Sequence, residues 1–426
     1  MSLKLADPEA TPFLEDLEAR GLLNQKTPDL TDQVIEAERP PLYVGVDPSG
    51  PSLHAGHLIP LLGTDRYRRR GGQIIILQGG ATGMIGDPSG KDTERSLQQA
   101  EAVLSNIESQ RAQFEALFAA TDGPAPIFVN NADWYRDMDV IQFLRDVGKH
   151  FSVNAMLQKD SVKNRIENRE QGISFTEFSY ALLQGFDFVH LYRKHGCRIQ
   201  MGGSDQWGNI VGGVDLLRRM EGVQGHALTY PLLTNSEGKK YGKSEKGAIW
   251  LDPDLTSPYA FYQFWLNTAD ADAPRFLAWL TDIDLEALEA LKAAPAHERA
   301  PQKALAELLT TRVHGADETA LCEEASQVIF RGKADTLSPA LAAMIARAVP
   351  TLDAPASEPC ALIDAMVQVE AAASKGEARR LIKQNAVSAN GEKLADEQAD
   401  LRDHKAGADA VILSVGKAKR FLVRFK

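Results

Sequence analysis

Short apolar runs alternate with longer helical patterns over roughly the first 130 residues of the chain. The apolar runs predict three strands, at Leu42–Val46, 73–78 and Ile127–Asn130. Helical spacing of apolar residues occupies two stretches between them, at 54–70 and 94–120. Strands that alternate with helices predict a parallel, Rossmann-like α/β sheet. Breaker residues 47–51 follow the first strand, which places ligand groups at its carboxyl end, where such sheets bind nucleotides.

The pattern changes after residue 250 and predicts two further domains. Residues 251–345 have helical spacing and are rich in Ala and Leu, which predicts an all-α domain. Residues 346–360 are rich in Ala and Pro and are predicted to form a linker. Residues 361–426 predict a small α+β unit, with a helix at 375–384 and an Asn390-Gly391 pair that suits a type I′ hairpin turn.

The composition is that of a soluble globular protein with more than one core. A chain of 426 residues exceeds one ordinary domain, and its 44% hydrophobic and 25% charged residues are typical values. No apolar run approaches the ~20 residues of a membrane span, and the N-terminus lacks a basic-then-apolar signal pattern. Cys197, Cys322 and Cys360 are isolated and odd in number, so we expect reduced thiols, no metal site and a cytoplasmic location.

The charge distribution points to a polyanionic partner. The net charge is −11, but residues 374–426 carry 12 Lys and Arg against 7 Asp and Glu, a balance of +5 that leaves −16 for the rest. A basic tail on an acidic body favours contact with nucleic acid. A solvated basic surface is the alternative, and charge alone does not separate the two.

The segment His54-Ala55-Gly56-His57 begins a predicted helix directly after the first strand. The two histidines are three residues apart and share a face. Free N–H groups and the dipole at a helix N-terminus favour phosphate, and the lack of a Cβ at Gly56 lets a flat base approach. The alternative is two surface histidines with a packing glycine.

A second candidate site is the Gly-containing segment Lys240-Tyr241-Gly242-Lys243-Ser244. Two ammonium groups on a mobile loop can neutralise charge on departing pyrophosphate, although a lone basic turn is more often a solvated one. The two segments, in this order and roughly 180 residues apart, together predict an ATP site that makes aminoacyl adenylates. Residues 86–92 resemble a P-loop, but the glycine spacing is one residue short and Asp92 stands where Ser or Thr should bind magnesium, so we reject that interpretation.

These segments resemble the signatures of the bacterial tyrosyl-tRNA synthetases, which are class I enzymes. Residues 54–57 match the HIGH signature with Ala in place of Ile, and residues 240–244 match the lysine-loop signature with Tyr-Gly in place of Met-Ser. The resemblance extends through residues 79–91, 146–152, 174–187, 202–209 and 250–253 and through the C-terminal unit. It implies a Rossmann-like catalytic domain over residues 1–250, an all-α tRNA-binding domain and an S4-like RNA-binding domain.

The resemblance also implies the reaction and the partners. ATP would enter as a substrate with Mg²⁺, with no permanently bound cofactor and no protein-bound metal. L-Tyrosine would become tyrosyl adenylate, and tyrosine would then pass to the 3′-terminal ribose of tRNA(Tyr). The family implies a homodimer, for which residues 140–151 are the candidate interface and ordinary core is the alternative. The resemblance assigns catalytic roles to His54, His57, Lys240, Lys243 and Ser244.

A polar stripe in the segment 174–192 is the candidate amino-acid pocket. Tyr180, Gln184 and Asp187 lie at i, i+4 and i+7 on one helix face, with satisfied core polar residues as the alternative. By resemblance, Tyr180, Gln184 and Asp87 hold the substrate ammonium, and Asp187 and Tyr43 hold its phenolic hydroxyl. A pocket that hydrogen-bonds a hydroxyl should reject phenylalanine strongly, and no inserted editing domain is recognisable in the sequence.

The remaining site residues are assigned by resemblance alone. Gly203 and Asp205 would contact the ribose, and Gln206 the substrate carbonyl. Further ATP-side or mobile-loop positions are Asp47, Lys91, Arg95 and Asn131. In the C-terminal unit, RNA phosphates would meet Lys375, Arg379 and Arg380.

Three other interpretations share features with this sequence. A nucleotidylyltransferase shares the two-histidine helix start, but the lysine loop and the Asp187 pocket count against it. A non-catalytic RNA-binding paralogue is disfavoured by the intact histidines and lysines. A tryptophanyl enzyme is the nearest rival, and the pair formed by Tyr43 and Asp187, with the S4-like tail, favours tyrosine.

Overall fold

The computed structural model describes residues 3–89, 98–167, 172–244, 247–334, 336–407, 409–416 and 419–426, with the backbone alone at 160, 161, 243 and 244. Its contacts divide the chain into two compact units. The first contains Met1–Asp252 and Thr268–Leu305, and the second contains Pro253–Asn267 and Ala306–Lys426. The predicted all-α stretch 251–345 is shared between the two units.

The first unit is built on a six-stranded sheet. Its strands are β1 (Gln25–Lys26), β2 (Leu42–Val46), β3 (Ile74–Gln78), β4 (Ile127–Asn130), β5 (Ile199–Gly203) and β6 (His226–Tyr230). They lie in the order β1-β6-β5-β2-β3-β4, and every pair is parallel except β1 with β6. The predicted parallel α/β sheet is therefore confirmed. Strands β3 and β4 lie on one side of β2, and β5 and β6 lie on the other. This reversal of strand order between β2 and β5 creates the crevice where such sheets bind ligands.

Helices follow the strands and cover the sheet. They are α1 (Phe13–Ala19), α2 (Leu58–Arg69), α3 (Thr82–Ile85), α4 (Ala100–Ala119), α5 (Ala132–Tyr135), α6 (Val140–Asp146), α7 (Val153–Leu157), α8 (Asp160–Glu167), α9 (Phe175–His195) and α10 (Trp207–Glu221). The helix predicted at 54–70 begins as a 3₁₀ turn, Ala55–His57, before α2. The helix predicted at 94–120 begins at Ala100 within the described residues.

The longest of these helices, α9, is delimited by local signals. The Ser174 hydroxyl accepts a hydrogen bond from the Glu177 amide, which satisfies a free donor in the first turn. Gly196 ends the helix at φ +67°, a conformation that glycine adopts without strain. Gly185 of α9 and Gly213 of α10 face each other, with 3.5 Å between the Cα of Gly185 and an added Cβ on Gly213. This close approach buries Phe188 and seals one face of the sheet.

Later segments return to the first unit. A short hairpin of β7 (Lys243–Ser244) and β8 (Gly247–Ala248) is followed, beyond α11 (Pro258–Leu266) of the second unit, by α12 (Ala273–Leu280) and α13 (Leu285–Lys292). Helix α14 (Ala300–His314) crosses the division between the units. No helix in the described part of the chain is both long and apolar enough to cross a membrane.

The second unit combines helices with a five-stranded sheet. Its later helices are α15 (Ala316–Arg331), α16 (Pro339–Ala346), α17 (Leu362–Gln368) and α18 (Lys375–Lys383). Its strands are β9 (Thr351–Ala354), β10 (Val387–Ala389), β11 (Glu392–Lys393), β12 (Ala410–Val415) and β13 (Lys419–Phe425), in the order β11-β10-β12-β13-β9. Asn390 and Gly391 join β10 to β11 with φ values of +45° and +84°, as a type I′ turn requires.

The structure corrects the predicted linker at 346–360. Strand β9 lies inside it and pairs in parallel with β13, with Thr351 opposite Leu422. Leu352 packs against the core of this unit, and Cys360 is buried. The composition concealed the strand because its hydrogen-bonding partner lies about 70 residues further along the chain.

Candidate active site

A cavity of about 260 Å³ opens at the carboxyl ends of β2 and β5. Most of the predicted site residues line it: Tyr43, Asp47, Gly56, His57, Asp87, Tyr180, Gln184, Asp187, Gly203, Asp205 and Gln206. These residues come from β2, β5 and the turns that follow them, the start of α2, the loop after α3 and helix α9. The fold therefore brings together positions that lie up to about 160 residues apart in the sequence.

Asp187 marks one part of the cavity. Its carboxylate accepts a hydrogen bond from the Asn131 amide at 3.1 Å and another from the Trp134 indole N–H at 3.0 Å. Burial raises the pKa of Asp187 to about 7. The Tyr43 hydroxyl is buried and has no hydrogen-bond partner among the described residues, and burial raises its pKa. A buried hydroxyl without a partner and a nearby carboxylate form a polar site that a ligand hydroxyl could satisfy.

Asp47 is held by two hydroxyl donors. Tyr180 donates to one carboxylate oxygen at 2.9 Å and Thr82 to the other at 2.7 Å. A Cβ at Gly79 would lie 2.0 Å from the nearer Asp47 oxygen, so only glycine fits beside this network. Burial raises the pKa of Tyr180, which keeps its hydroxyl protonated and able to donate.

Asp87 joins the turn after β5 to the loop after α3. It accepts hydrogen bonds from the Gln206 amide at 2.6 Å and from the Ser89 backbone at 2.9 Å. The Gln184 side-chain oxygen is buried and has no hydrogen-bond partner among the described residues. Gln184, Asp87 and the Tyr180 hydroxyl line the same cavity, and two of the three are acceptors suited to an ammonium group.

The histidines form a reciprocal cap at the start of α2. The His54 amide donates to Nδ1 of His57 at 3.0 Å, and the Gly56 amide donates to Nδ1 of His54 at 3.1 Å. Burial lowers the pKa of His57 well below its usual value. Because Nδ1 accepts, the neutral His57 ring carries its proton on Nε2. A Cβ at Gly56 would lie 2.9 Å from the His54 ring, so the glycine is needed for this cap.

The lysine loop lies directly beside this helix start. Ala55 donates a backbone hydrogen bond to Ile249, and Ile249 donates one to Gly242. Gly242 has φ +97°, and a Cβ added there would lie 3.2 Å from the Ala55 Cβ. Two sequence segments separated by roughly 180 residues therefore meet. Lys240 is exposed, and the structure describes the backbone of Lys243 and Ser244 but not their side chains.

Other predicted residues occupy different positions. Lys91 and Arg95 lie outside the described residues. Asn131 is predicted to lie on the ATP side, but it is fully buried and its amide donates a hydrogen bond to Asp187. Asp205 lines the cavity, and burial raises its pKa. On α18 of the second unit, three exposed basic side chains each pair with an acid: Lys375, Arg379 and Arg380.

Sequence reasoning missed three polar residues at the site. Gln200 lines the cavity from β5, and its buried side-chain oxygen has no partner among the described residues. Its signal was available, because a glutamine interrupts the apolar run before Gly202. Thr82 and Trp134 had no comparable signal, since their importance depends on the carboxylates that they contact.

The described residues contain no cluster of three or more His, Cys, Asp or Glu side chains that could hold a metal ion. Their chemistry is instead a set of hydrogen-bond donors and acceptors around a cavity, flanked by a helix N-terminus and a basic loop. Such a site can orient a polar ligand and an anionic ligand side by side.

Comparisons with known proteins agree with this geometry. Residues 36–331 match the family of tRNA synthetases class I (W and Y), and residues 342–423 match the tyrosine–tRNA ligase SYY-like C-terminal domain. Tyrosine–tRNA ligase 1 of Vibrio parahaemolyticus is 46% identical, over 92% of this chain and 94% of the relative. The tyrosine–tRNA ligase of Roseiflexus castenholzii is 45% identical, over 97% of this chain and 99% of the relative.

Solved structures give the same result. A C-terminally truncated mitochondrial tyrosyl-tRNA synthetase of Aspergillus nidulans is 29% identical, with a TM-score of 0.67 over 76% of this chain and 95% of that chain. A tryptophanyl-tRNA synthetase of Plasmodium falciparum, 13% identical with a TM-score of 0.51 over 71% of this chain and 84% of that chain, shares the fold. The family match and the extent of the identity together show that this chain belongs to the class I tRNA synthetases and, within them, to the tyrosine–tRNA ligases.

Proposed function

We propose that the cavity makes tyrosyl adenylate from L-tyrosine and ATP and then passes tyrosine to tRNA(Tyr), the ligase reaction of the family to which the chain belongs. One observation carries this assignment above all. Tyr43 and Asp187, which would contact the phenolic hydroxyl, line the same cavity as Gly56 and His57, which would lie beside the nucleotide. Amino acid and nucleotide can therefore meet in one site.

Tyrosine recognition rests on the buried polar groups. Asp187 would accept the substrate phenol, and the Tyr43 hydroxyl would gain the partner it lacks among the described residues. Tyr180, Gln184 and Asp87 would hold the substrate ammonium. Phenylalanine would leave the buried Tyr43 hydroxyl without a partner among the described residues, at a cost of roughly 1–3 kcal/mol, and Asp187 would lose the hydrogen bond from the substrate.

Adenylation would proceed by positioning and charge stabilisation. The tyrosine carboxylate attacks the α-phosphorus, the bond to the β-phosphate breaks, and pyrophosphate leaves with the electron pair. His54 and His57 would donate from Nε2 to phosphate oxygens, and the lysine loop, with Lys240, Lys243 and Ser244, would stabilise pyrophosphate. Gly203 and Asp205 would contact ribose, and Gln206 the substrate carbonyl. Mg²⁺ would enter with ATP as part of the substrate.

Transfer completes the reaction. A hydroxyl of the 3′-terminal ribose of tRNA attacks the tyrosyl carbonyl, and AMP leaves. We assign tRNA phosphate contacts to the exposed Lys375, Arg379 and Arg380 of α18. The catalytic role belongs to the first unit, which holds the cavity.

Assembly and location are inferred in the same way. Helix α6 exposes Val140 by 65%, Ile141 by 68% and Leu144 by 48%, and apolar side chains exposed together favour a protein interface. We propose that a second copy of this chain covers them in a homodimer. The three cysteines are buried and unpaired, which supports a reducing cytoplasmic location.

Amino-acid-dependent ATP–pyrophosphate exchange, without tRNA, tests the assignment. Tyrosine, phenylalanine and tryptophan are compared at equal concentrations. Exchange with tyrosine alone is expected from the hydroxyl-reading pocket. Exchange with tryptophan would overturn the substrate assignment, and the absence of exchange with all three would overturn the adenylation step.

A further inference from the structure

The lysine loop packs against the segment that leads into α12 through the side chain of Tyr241. The hydroxyls of Tyr241 and Thr268 hydrogen-bond at 3.0 Å, and the Tyr241 ring packs against Phe276 with 4.8 Å between ring centroids. Thr268 and Phe276 are buried, with 1% and 0% exposure. We call these three residues the Tyr241 anchor. The ring contact is apolar, and the contact between the two hydroxyls is a hydrogen bond, which depends on the angle between its groups.

The receiving side of the anchor is itself held in place. Gln302 donates to the Thr268 carbonyl at 3.4 Å and to Asp270 at 2.6 Å. Phe276 belongs to α12 and is covered by the Arg275 guanidinium at 5.3 Å from the ring centroid. Arg275 also donates to the Thr234 carbonyl at 2.7 Å. The segment that receives Tyr241 therefore has its own hydrogen bonds, which make it a firm support for the loop.

The loop backbone is fixed on both sides of the anchor. Before it, Thr234 and Lys240 form a β-bridge, and the Tyr241 amide donates to the Leu233 carbonyl at 2.7 Å. After it, Gly242 packs on Ala55 at the start of α2. The side chain of Tyr241 thus contacts Thr268 and Phe276, while the next residue packs on the start of α2. Displacing its ring would move both residues that flank it.

The hydroxyl distinguishes this loop from the family signature. The signature resembles this segment with Met at the position of Tyr241, and a methionine can pack on Phe276 but has no hydroxyl with which to form the bond to Thr268. Tyrosine-pocket residues such as Tyr43 and Asp187 lie on β2 and α9. A change confined to the anchor should therefore act on the phosphate side of the reaction and leave tyrosine binding alone.

We propose that Tyr241 is a positioning residue for adenylation, which uses its bond to Thr268 and its packing on Phe276 to hold the lysine loop over the departing pyrophosphate. This inference rests on the proposed role of Lys240 and Lys243 in the loop. The anchor limits the positions that the loop backbone can take, and the rate of pyrophosphate exchange depends on those positions.

The test uses Tyr241→Phe, Thr268→Val and the double variant in the full chain. Tyr241→Phe removes the hydroxyl and keeps the ring. We expect the kcat of tyrosine-dependent exchange to fall by about three- to tenfold, the effect of one hydrogen bond, while the KM for tyrosine stays within about twofold. The double variant should lose no more rate than either single variant, because all three lack the same bond.

Stability separates positioning from a merely structural role. Tyr241→Phe leaves the buried Thr268 hydroxyl without Tyr241, and the double variant removes that hydroxyl, so the double variant should regain unfolding stability without regaining rate. Rate that recovers in parallel with stability would overturn the inference. The matched control is Tyr259→Phe, which removes a partly buried hydroxyl in the second unit, and which should leave exchange unchanged.

The two levels of the proposal fail differently. If the wild-type protein shows no tyrosine-dependent exchange, the proposed function is overturned and the inference falls with it. If the wild-type protein exchanges and Tyr241→Phe matches its kcat, the inference alone is overturned. A rise in the KM for tyrosine equal to the fall in kcat would also overturn it, because the anchor would then act on the amino-acid pocket.

Discussion

Asp187 shows how burial and hydrogen bonding set the chemistry of a single residue. Two N–H donors, from Asn131 and Trp134, fix the orientation of its carboxylate, and further lone pairs remain for a substrate hydroxyl. An amide at this position would place an NH₂ group against a donor. A carboxylate therefore fits this position better than an amide. An experiment can vary its charge by changing the pH.

Tyrosine selectivity should depend on pH through Asp187. The carboxylate form accepts the phenol, so we expect kcat/KM for tyrosine to rise by about tenfold between about pH 6 and pH 8, centred on the free-enzyme pKa of about 7. Phenylalanine has no hydroxyl, and its kcat/KM should stay flat. Asp187→Asn should remove the rise and lower the tyrosine-to-phenylalanine ratio by about 10- to 100-fold. Parallel pH profiles for the two amino acids would contradict this role.

The same shift predicts a stability change of defined sign. The folded pKa of Asp187 is raised from 3.8 to about 7, so between these values the folded protein holds a proton that the unfolded chain releases. The contribution of Asp187 to the free energy of unfolding is therefore fully present below about pH 4 and is lost as the pH rises through about 7. Denaturant titrations should show the free energy of unfolding of the wild-type protein falling relative to that of Asp187→Asn between about pH 4 and pH 7, because the amide does not titrate there. A difference between the two proteins that stays constant over this range would contradict the shift.

His57 has a structural role in the cap at the start of α2 and, as we propose, a chemical role on phosphate. Nδ1 accepts from the His54 amide, which leaves Nε2–H for phosphate. His57→Ala should lower the adenylation rate by about tenfold and leave tyrosine binding nearly unchanged, because only the phosphate contact is lost. Rapid-quench measurement of adenylate formation and equilibrium tyrosine binding test this. Equal losses in both would mean that the whole site had been disturbed.

At the scale of elements, a buried ion pair fixes the start of the helix that carries the pocket. Arg165 of α8 meets Glu177 of α9 through two hydrogen bonds, at 3.2 Å and 2.9 Å, and both side chains are only 2% exposed. Tyr180 follows one turn later on α9. This pair therefore joins the pocket helix to its neighbour.

Removing one partner of this pair should be costly. Arg165→Met leaves Glu177 buried without its guanidinium, and we expect the free energy of unfolding to fall by about 3–5 kcal/mol. The matched control is Arg193→Met, which breaks an exposed pair with Glu221 and should cost no more than about 1 kcal/mol. Denaturant unfolding gives both values. Similar losses in the two variants would refute the importance of burial here.

Element boundaries were predictable wherever a local signal marked them. Strands β2 and β4, the Asn390-Gly391 hairpin turn and the helix at 375–384 agree with the sequence analysis. Strand β9 did not, because its pairing with β13 is a long-range contact and its composition resembles a linker. The periodicity of apolar residues predicts local secondary structure, whereas the pairing of a strand depends on a segment that is distant in the sequence.

At the scale of the whole molecule, we propose that adenylation and tRNA binding use different units of the chain. Lys375, Arg379 and Arg380 are exposed on α18, whereas the cavity belongs to the first unit. Replacing all three with Ala should weaken tRNA charging and reduce its salt dependence by about one unit of slope per lost phosphate contact. ATP–pyrophosphate exchange should be unchanged. Lys292→Ala, on the exposed surface of α13, is the control, and an equal effect there would refute a specific RNA surface.

The sequence by itself determined the chemistry and the class of fold. Alternating strands and helices, the histidine segment and the lysine segment each carry their signal within a few residues, so they could be recognised without coordinates. Most of the polar cavity followed from positions on one helix face and at strand ends.

Tertiary structure decided which groups meet and what each contact does. It brought Gly242 next to Ala55. It placed the Asn131 amide where it donates to Asp187 and not on the nucleotide side. It also brought the Tyr241 hydroxyl within hydrogen-bond distance of Thr268. The physical reason is that hydrogen bonds and close packing act over a few ångströms in space, between residues whose separation along the chain has no fixed period.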